Sequence, residues 1–585
     1  MSLEIIKTVY ILTINLRILQ KHLRIVILTH TAERYDRRGK SLHTRQIETK
    51  GERIMKKRMI AIILSLAMTC SLFAGCKSAA PAADNTPAAS GSNSANAAQK
   101  AIDDRIANAK KDGKYPTVVM AFMNWSGSPK DLQKVNASLS QYTEKKLGLD
   151  VKIQILDSAT YKQQMTLILS SGEQLDLFDS VLIGYTPSVN NGYCLDLEKN
   201  KLISTYGADI EKAVGKKYID DCRVNGVLYG LPENKDNATG LDCIAIGKKY
   251  LDGIGYKYAS MYKNKGDEVI HSDLNTINDI FAQLHKKYPD KYVYTPVHAF
   301  QHTCDIDGLG GDNFGVLLNQ GKELKVVDLF TSKTYKDFCT RMYNWNKAGY
   351  ISKDSLSSDV STTSQVKAGT TVAYTPGAKP GIKAQESGLC GQEMLFFQLG
   401  PDFQSSNSVA AMPWCINSNT KDPVAAMQFL NAAYSDTTVS NYLCWGIEGT
   451  HYKKTNDGHI DFANDLNAST SGYYNNVNWE MPNQFIANIW AGNDLNIWTR
   501  MKKFNDTATV SKAAGFTFDN SSLTTEYTAL TNVYNQYQKQ LEFGFVNPDT
   551  GIAEMEAKLK SNGLEKYMAE KQTQLDKWAK TNASK

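Results

Sequence analysis

The sequence predicts an α/β fold with parallel strands, spread over more than one domain and followed by a helical, aromatic-rich C-terminal region. Three observations carry this expectation. Residues 116–122 (PTVVMAF) and 151–156 (VKIQIL) read as β-rich runs, with Leu132, Val135, Leu139 and Tyr142 at helical spacing between them. A length of 585 residues exceeds what a single hydrophobic core organises. Helical and strand-like segments then alternate to about residue 400, after which the chain turns aromatic and Asn-rich and ends in helical segments at 524–543 and 552–580.

Each element follows from local chemistry. Two strands joined by a helix imply a parallel pair with a right-handed crossover. Asp131 is placed to cap the first helix of the body and Gly148 to close it. A second helix is expected over 161–171 and a strand within 172–178. Open α/β sheets gather ligands at the carboxyl ends of their strands, which directs attention to the loops 124–129 and 184–188. The Asn225-Gly226 dipeptide is a hairpin-turn signal. Thr420, Asp422 and Pro423 mark the entry of a helix over 418–436, with Ala426, Phe429, Leu430 and Ala433 on one face. No repeat of 20–50 residues is visible, which argues against a solenoid.

The front of the chain reads as targeting sequence. Lys56, Lys57 and Arg58 precede a short apolar run, 59–68 (MIAIILSLAM), too brief to span a bilayer. Phe73-Ala74-Gly75-Cys76 resembles the lipobox of bacterial lipoproteins, with Phe73 where Leu is usual. The resemblance implies a signal peptide over 55–75, cleavage after Gly75 and a lipid on Cys76. Mature lipoproteins of this kind carry at least two acyl chains, which suffices for stable anchoring. Residues 76–99 are rich in Ala, Ser, Asn and Pro and read as a flexible tether. A 54-residue preface would not present such a signal normally, and codons for 50–54 suit a purine-rich ribosome-binding site. Translation is therefore expected to start at Met55, with 1–54 a non-native extension.

Charge and cysteine content exclude several classes. Residues 1–75 hold 14 of the 66 Lys and Arg and 5 of the 60 Asp and Glu, leaving 52 basic and 55 acidic residues in the body. No basic stripe remains there for nucleic acid. The eight body cysteines, at 194, 222, 243, 304, 339, 390, 415 and 444, are scattered without a CxxC. That spacing fits neither a zinc site nor a disulfide-dense scaffold, and leaves open either free buried thiols or one or two bridges.

Several motifs, weak singly, are together specific in order and spacing. They are Ser171-Gly172-Glu173 with Asp176, Asn225-Gly226-Val227-Leu228-Tyr229-Gly230-Leu231-Pro232, and Asp422-Pro423 opening a helix with Ala426-Met427. Gly446-Ile447-Glu448-Gly449-Thr450-His451-Tyr452, Ala514-Gly515-Phe516-Thr517-Phe518-Asp519 and 559–578 (LKSNGLEKYMAEKQTQLDKW) follow. Over about 110–580 the chain resembles the extracellular solute-binding lipoproteins of carbohydrate-type ABC importers, the LipO-like group with an added C-terminal domain of unknown function. The resemblance implies a periplasmic-binding-protein type II fold, with two lobes closing on a ligand by hinge motion. The expected core is 100–450, with one lobe about 100–235 plus 404–450 and the other about 236–403. The C-terminal domain, 451–585, is expected to pack on the second lobe.

Sugar binding needs aromatic faces against pyranose C–H groups and planar polar side chains for adjacent hydroxyls. Trp125, in the first βα loop beside Asn124 and Gly127, is the first candidate, and Tyr185 in the next loop the second. Glu233, Lys235 and Asp236 follow the expected first crossing between lobes. Phe300, Tyr374, Trp414, Trp445 and Trp479 complete the ligand-binding set, and Trp490 is weighed with them; each tryptophan also suits a core. His298 and His302, with Cys304 or Asp305, would suit a metal, and Asp305, Asp307 and Asp312 around 308–311 resemble a calcium loop, but no closing bidentate Glu stands at the spacing such a loop needs. The expectation is no metal, no cofactor and no catalysis, since no nucleophile or nucleotide motif occupies its required setting. Expected partners are a carbohydrate solute, ABC permease subunits and, through the lipid alone, a membrane, for a monomer on the outer face of the cell. A glycan- or cell-wall-binding lipoprotein without a transporter, and a carbohydrate-active enzyme, are the alternatives.

Overall fold

The computed structural model describes residues 91–125, 127–296, 300–358 and 360–582. Residues 1–54, the signal peptide, Gly75 and Cys76 lie outside the described residues, as does His298. Among the described residues no helix is long and apolar enough to cross a membrane.

The body opens with helix α1 (Gly91–Asp112). Residues 91–99, expected as tether, are its first turns. Gln428 Nε2 donates to the Ala98 carbonyl at 2.7 Å, and Arg105 donates to the Leu147 carbonyl and to Gln428. The helix is thereby tied to the first lobe, which composition alone did not signal.

Strand β1 (Thr117–Asn124), helix α2 (Leu132–Leu147), strand β2 (Asp150–Asp157), helix α3 (Ser158–Ser171) and strand β3 (Leu177–Asp179) form the expected βαβαβ start. β1 pairs in parallel with both β2 and β3. Gly148 closes α2 with φ 66°, the left-handed conformation that favours glycine. Asp131 does not cap that helix with its side chain; its carboxylate pairs with Lys134 at 2.7 Å and with His451 at 3.3 Å. Strands Trp414–Ile416 and Gly230–Leu231 complete a five-stranded sheet, both added antiparallel. The Asn225-Gly226 turn has φ values of 52° and 86°, the positive pair a tight hairpin requires, and links Arg223–Val224 to Val227–Leu228. Helix Pro423–Ser435 starts where expected, with the Asp422 carboxylate accepting from Ala425 N.

The second lobe is built on another five-stranded sheet. Its order is Tyr292–Tyr294, Thr371–Tyr374, Cys243–Gly247, Met394–Gln398 and Val269–His271. Three short strands, Thr239–Gly240, Asp402–Gln404 and Thr509–Val510, form a separate small sheet where the chain passes between lobes.

The C-terminal region departs from expectation. It is not one unit on the second lobe. Tyr452, Ile460, Tyr473, Val477, Met481 and Ala487 are buried in the core of the first lobe, while Ala513, Phe516, Leu530, Met555 and Leu575 are buried in the core of the second. The chain crosses a third time at 509–510. The final helical segment is also two helices, Pro548–Ser561 and Leu564–Asn582, separated at Gly563 with φ 96°. All eight body cysteines are free and buried.

Candidate functional site

The carboxyl ends of β1 and β3, the strand Trp414–Ile416 and the segment after Gly230–Leu231 meet at one edge of the first lobe. This is the edge at which a ligand of such a sheet is expected. Trp125 stands immediately after β1 and is 61% exposed, an unusual state for a large apolar side chain. Its ring lies 6.5 Å from that of the half-buried Trp479. Two of the sequence-nominated tryptophans thus form one aromatic surface, although 354 positions of chain separate them only in sequence and not in space.

Beside this surface is a polar floor. Asn124 Nδ2 donates to Asn475 Oδ1 at 2.8 Å. Glu480 Oε1 accepts from Met123 N at 2.9 Å, and the Glu480 carbonyl accepts from Trp414 Nε1 at 2.7 Å. Asp179 Oδ1 accepts from Val181 N at 2.7 Å, and Tyr161 donates its hydroxyl to the Asp179 carbonyl at 2.8 Å. Asp179 Oδ2 and Glu480 Oε2 are both buried without a hydrogen-bond partner among the described residues. Burial pushes Asp179, Glu233 and Glu480 all upward from the ordinary carboxyl range, while the Lys235 charge opposes the shift at Asp179 and Glu233. Glu233 Oε1, Asn475 Nδ2 and Asn478 Oδ1 are buried without a hydrogen-bond partner among the described residues. Unmet polar groups are costly to bury, and a ligand with hydroxyls and amides offers what each lacks.

Asp236 sits at the crossing rather than on a ligand surface. It pairs with Lys379 of the second lobe at 3.1 Å and accepts from Gln484 at 3.2 Å, and the Lys379 and Lys235 charges hold its carboxyl below the usual range against its burial.

The other nominated residues are core. Tyr185 is buried and donates its hydroxyl to the Cys222 carbonyl at 2.6 Å; its loop turns straight into helix Tyr185–Asn190 and points the ring inward. Phe300 packs against Tyr335 and Phe338. Tyr374 is buried with its hydroxyl on Glu386. Trp414 is fully buried under the floor, its indole N–H already engaged. Trp445 is buried against Trp490 at 5.0 Å and donates to the Asn488 carbonyl. Asp307 is likewise structural: its carboxylate holds Ser406 at 2.8 and 2.6 Å. Sequence reading missed Asp179, Asn475, Asn478 and Glu480. The available signal was the density of Asn and aromatics in 473–483 (YYNNVNWEMPN), a composition unusual for a packed core.

Comparison with known proteins finds several that this chain resembles. Residues 512–580 match the model of a domain of unknown function, DUF3502. The chain is 26% identical over 461 residues, 77% of its length and 89% of the relative's, to a carbohydrate ABC transporter substrate-binding protein of Streptococcus pneumoniae serotype 4. Its fold is similar to that of the N-glycan transport solute-binding protein NgtS of Streptococcus pneumoniae, with a TM-score of 0.69 at 24% identity, covering 80% of this chain and 99% of that one. The same protein in complex with Man5GlcNAc gives a TM-score of 0.63 at 24% identity, covering 80% and 99%. The two-lobe solute-binding fold, the kinship with carbohydrate substrate-binding proteins and the added C-terminal domain are all as the sequence motifs imply.

Proposed function

We propose that this chain, a relative of carbohydrate ABC transporter substrate-binding proteins that shares their two-lobe fold, captures a glycan between its lobes and delivers it to a membrane permease. The observation that supports this most directly is the exposed Trp125 beside Trp479, over a buried floor of unmatched carboxyl and amide groups. An aromatic face takes the C–H side of a sugar ring, and the planar polar groups take its hydroxyls. Lobe closure would bury both from water. In this reading the body is held outside the cell by a lipid on Cys76, acts as a monomer, and carries out no chemistry on its solute.

Binding rather than turnover is supported by the similar proteins, which are named as substrate-binding and solute-binding proteins.

The test is a thermal-shift series over mannosyl-N-acetylglucosamine glycans of increasing length, with small-angle scattering on any that bind. A raised melting temperature together with a smaller radius of gyration is the expected result. Glycan cleavage, or retention on cell walls with no compaction, would overturn the transport reading.

A further inference from the structure

A cavity lies in the seam between the loop 311–314 of the second lobe and the C-terminal helix Thr524–Glu542, and shares no residue with the floor just described. Its volume is ≈ 290 Å³, at the small end for an organic-ligand site. Phe314, Tyr527, Thr531, Tyr534, Asn313 and Glu542 line it. The Phe314 ring stands edge-on to Tyr527 at 6.3 Å and to Tyr534 at 6.1 Å, so the walls are aromatic on more than one side.

The hydrogen bonds of the lining run in one direction. Tyr534 donates to Glu542 Oε1 at 2.5 Å, Tyr335 donates to the same oxygen at 3.4 Å, and Gln538 Nε2 donates to Oε2 at 3.2 Å. The Tyr534 oxygen in turn accepts from Asn313 Nδ2 at 2.9 Å. Because that bond fixes the amide, Asn313 turns its Oδ1 the other way. Asn313 is 8% exposed, and Oδ1 has no partner among the described residues. Thr531 Oγ1 is buried and unpartnered in the same way. The Asn313 and Gln538 amide nitrogens and the Tyr534 hydroxyl are therefore already engaged, and the buried groups left open are the Asn313 carbonyl oxygen and the Thr531 hydroxyl.

The charge is also one-sided. Asp312 is neutralised by Lys571 at 2.6 Å. Glu542 has no ion-pair partner among the described residues. A neutral sugar would leave the Glu542 carboxyl without a counter-charge, and calcium would need six or more oxygens rather than aromatic rings. An alkylammonium group supplies N–H donors only, carries the missing positive charge, and is stabilised over aromatic faces.

We infer that this seam is a binding site for a small organic ammonium ion, held by Glu542 and Asn313 within the Phe314, Tyr527 and Tyr534 walls. Occupancy would tie the C-terminal helices to the second lobe without touching the glycan cleft.

The experiment is calorimetric titration of the full chain, without glycan, using putrescine and its uncharged counterpart 1,4-butanediol. Saturable binding of the diamine and none of the diol is expected. Glu542→Gln should abolish putrescine binding. Tyr527→Ala, at a partly exposed rim position, should weaken it roughly three- to thirtyfold and decides the matter if the Glu542 variant does not fold. Glycan binding should be unchanged in both variants, which separates this site from the cleft. Equal binding of the diol, wild-type putrescine affinity in Tyr527→Ala, or a response to calcium chloride with none to putrescine would overturn the assignment.

Discussion

Trp125→Ala is the most direct probe of the glycan platform. Trp125 is 61% exposed. A large aromatic side chain carries up to about 250 Å² of surface, so about 150 Å² of Trp125 stays open to solvent and a sugar ring on one face would cover about half of it. At about 25 cal/mol per Å², that contact contributes about 2 kcal/mol, or about thirtyfold in Kd. The tilted Trp479 ring supports Trp125 from one side, so Trp479→Ala should lose part of the same energy, and the double substitution should cost less than the sum of the two. Isothermal titration with the tightest glycan of the thermal-shift series measures all three. The substitution at an exposed position should leave stability within about 0.5 kcal/mol, so an intact melting curve is the control. Affinity within twofold of wild type in a folded Trp125→Ala protein would refute the platform.

Two further outcomes follow from the buried acids. Asp221 is pushed up from 3.8 to about 6 by burial, so the folded protein holds its proton more firmly than the unfolded chain does. That group costs stability when ionised, above pH 6, and the cost vanishes as pH falls through 6 to below 4; Asp221→Asn should therefore stabilise by up to about 3 kcal/mol at pH 8 and hardly at all at pH 4, measured as the difference in melting temperature. Glu480→Gln keeps an acceptor for the Met123 N–H and should cost little stability, whereas Glu480→Ala should cost about 1–3 kcal/mol by leaving that buried N–H unmet. Equal loss in the two variants, read from their melting temperatures, would remove the Met123 bond from the account.

The first lobe was legible because its signals are local. Periodicity at 116–156, the left-handed glycine at 148 and the Asn225-Gly226 turn are each decided within a few residues, and each is where the sequence places it. Asp422-Pro423 is a cap with a mechanism and starts its helix as expected. The binding edge was legible only in part. Trp125 stands out because no core position suits it in a strand-to-helix loop. Tyr185 occupies what looked like the equivalent loop, but helix Tyr185–Asn190 starts on it and directs it toward Cys222, a direction no pattern of residues announces. Asp179 and Glu480 were invisible for a different reason: neither is unusual alone, and their chemistry arises from a contact between positions about 300 residues apart. The split of 451–585 between lobes belongs to the same class. Apolar residues at 473–487 and at 513–530 look alike, and only the crossing at 509–510 assigns them to different cores.

That third crossing bears on how the lobes can move. Asn505 Oδ1 accepts from Asn237 N at 2.8 Å and Ala238 N at 3.1 Å, and its Nδ2 donates to the Lys235 carbonyl at 2.7 Å. The Asn505 carbonyl accepts from Gln404 Nε2 at 2.7 Å. One residue of the third segment thus holds the first and the second, beside the small sheet that already pairs 402–404 with 239–240 and 509–510. A single linking strand would let two lobes twist about many axes, and most of those motions would carry the second lobe away from Trp125. Three linked strands leave bending across the small sheet as the soft motion, the kind of hinge in which a few element-terminal residues absorb the change. Lys235 and Asp236 lie in the first of these strands, one acting on the Asp179 and Glu233 charges and the other paired with Lys379 of the second lobe. Hinge position and floor electrostatics therefore meet in adjacent residues, so on the proposed reading a hydroxyl that engaged Glu233 or Asp179 would act on the same short segment that bends if the lobes close.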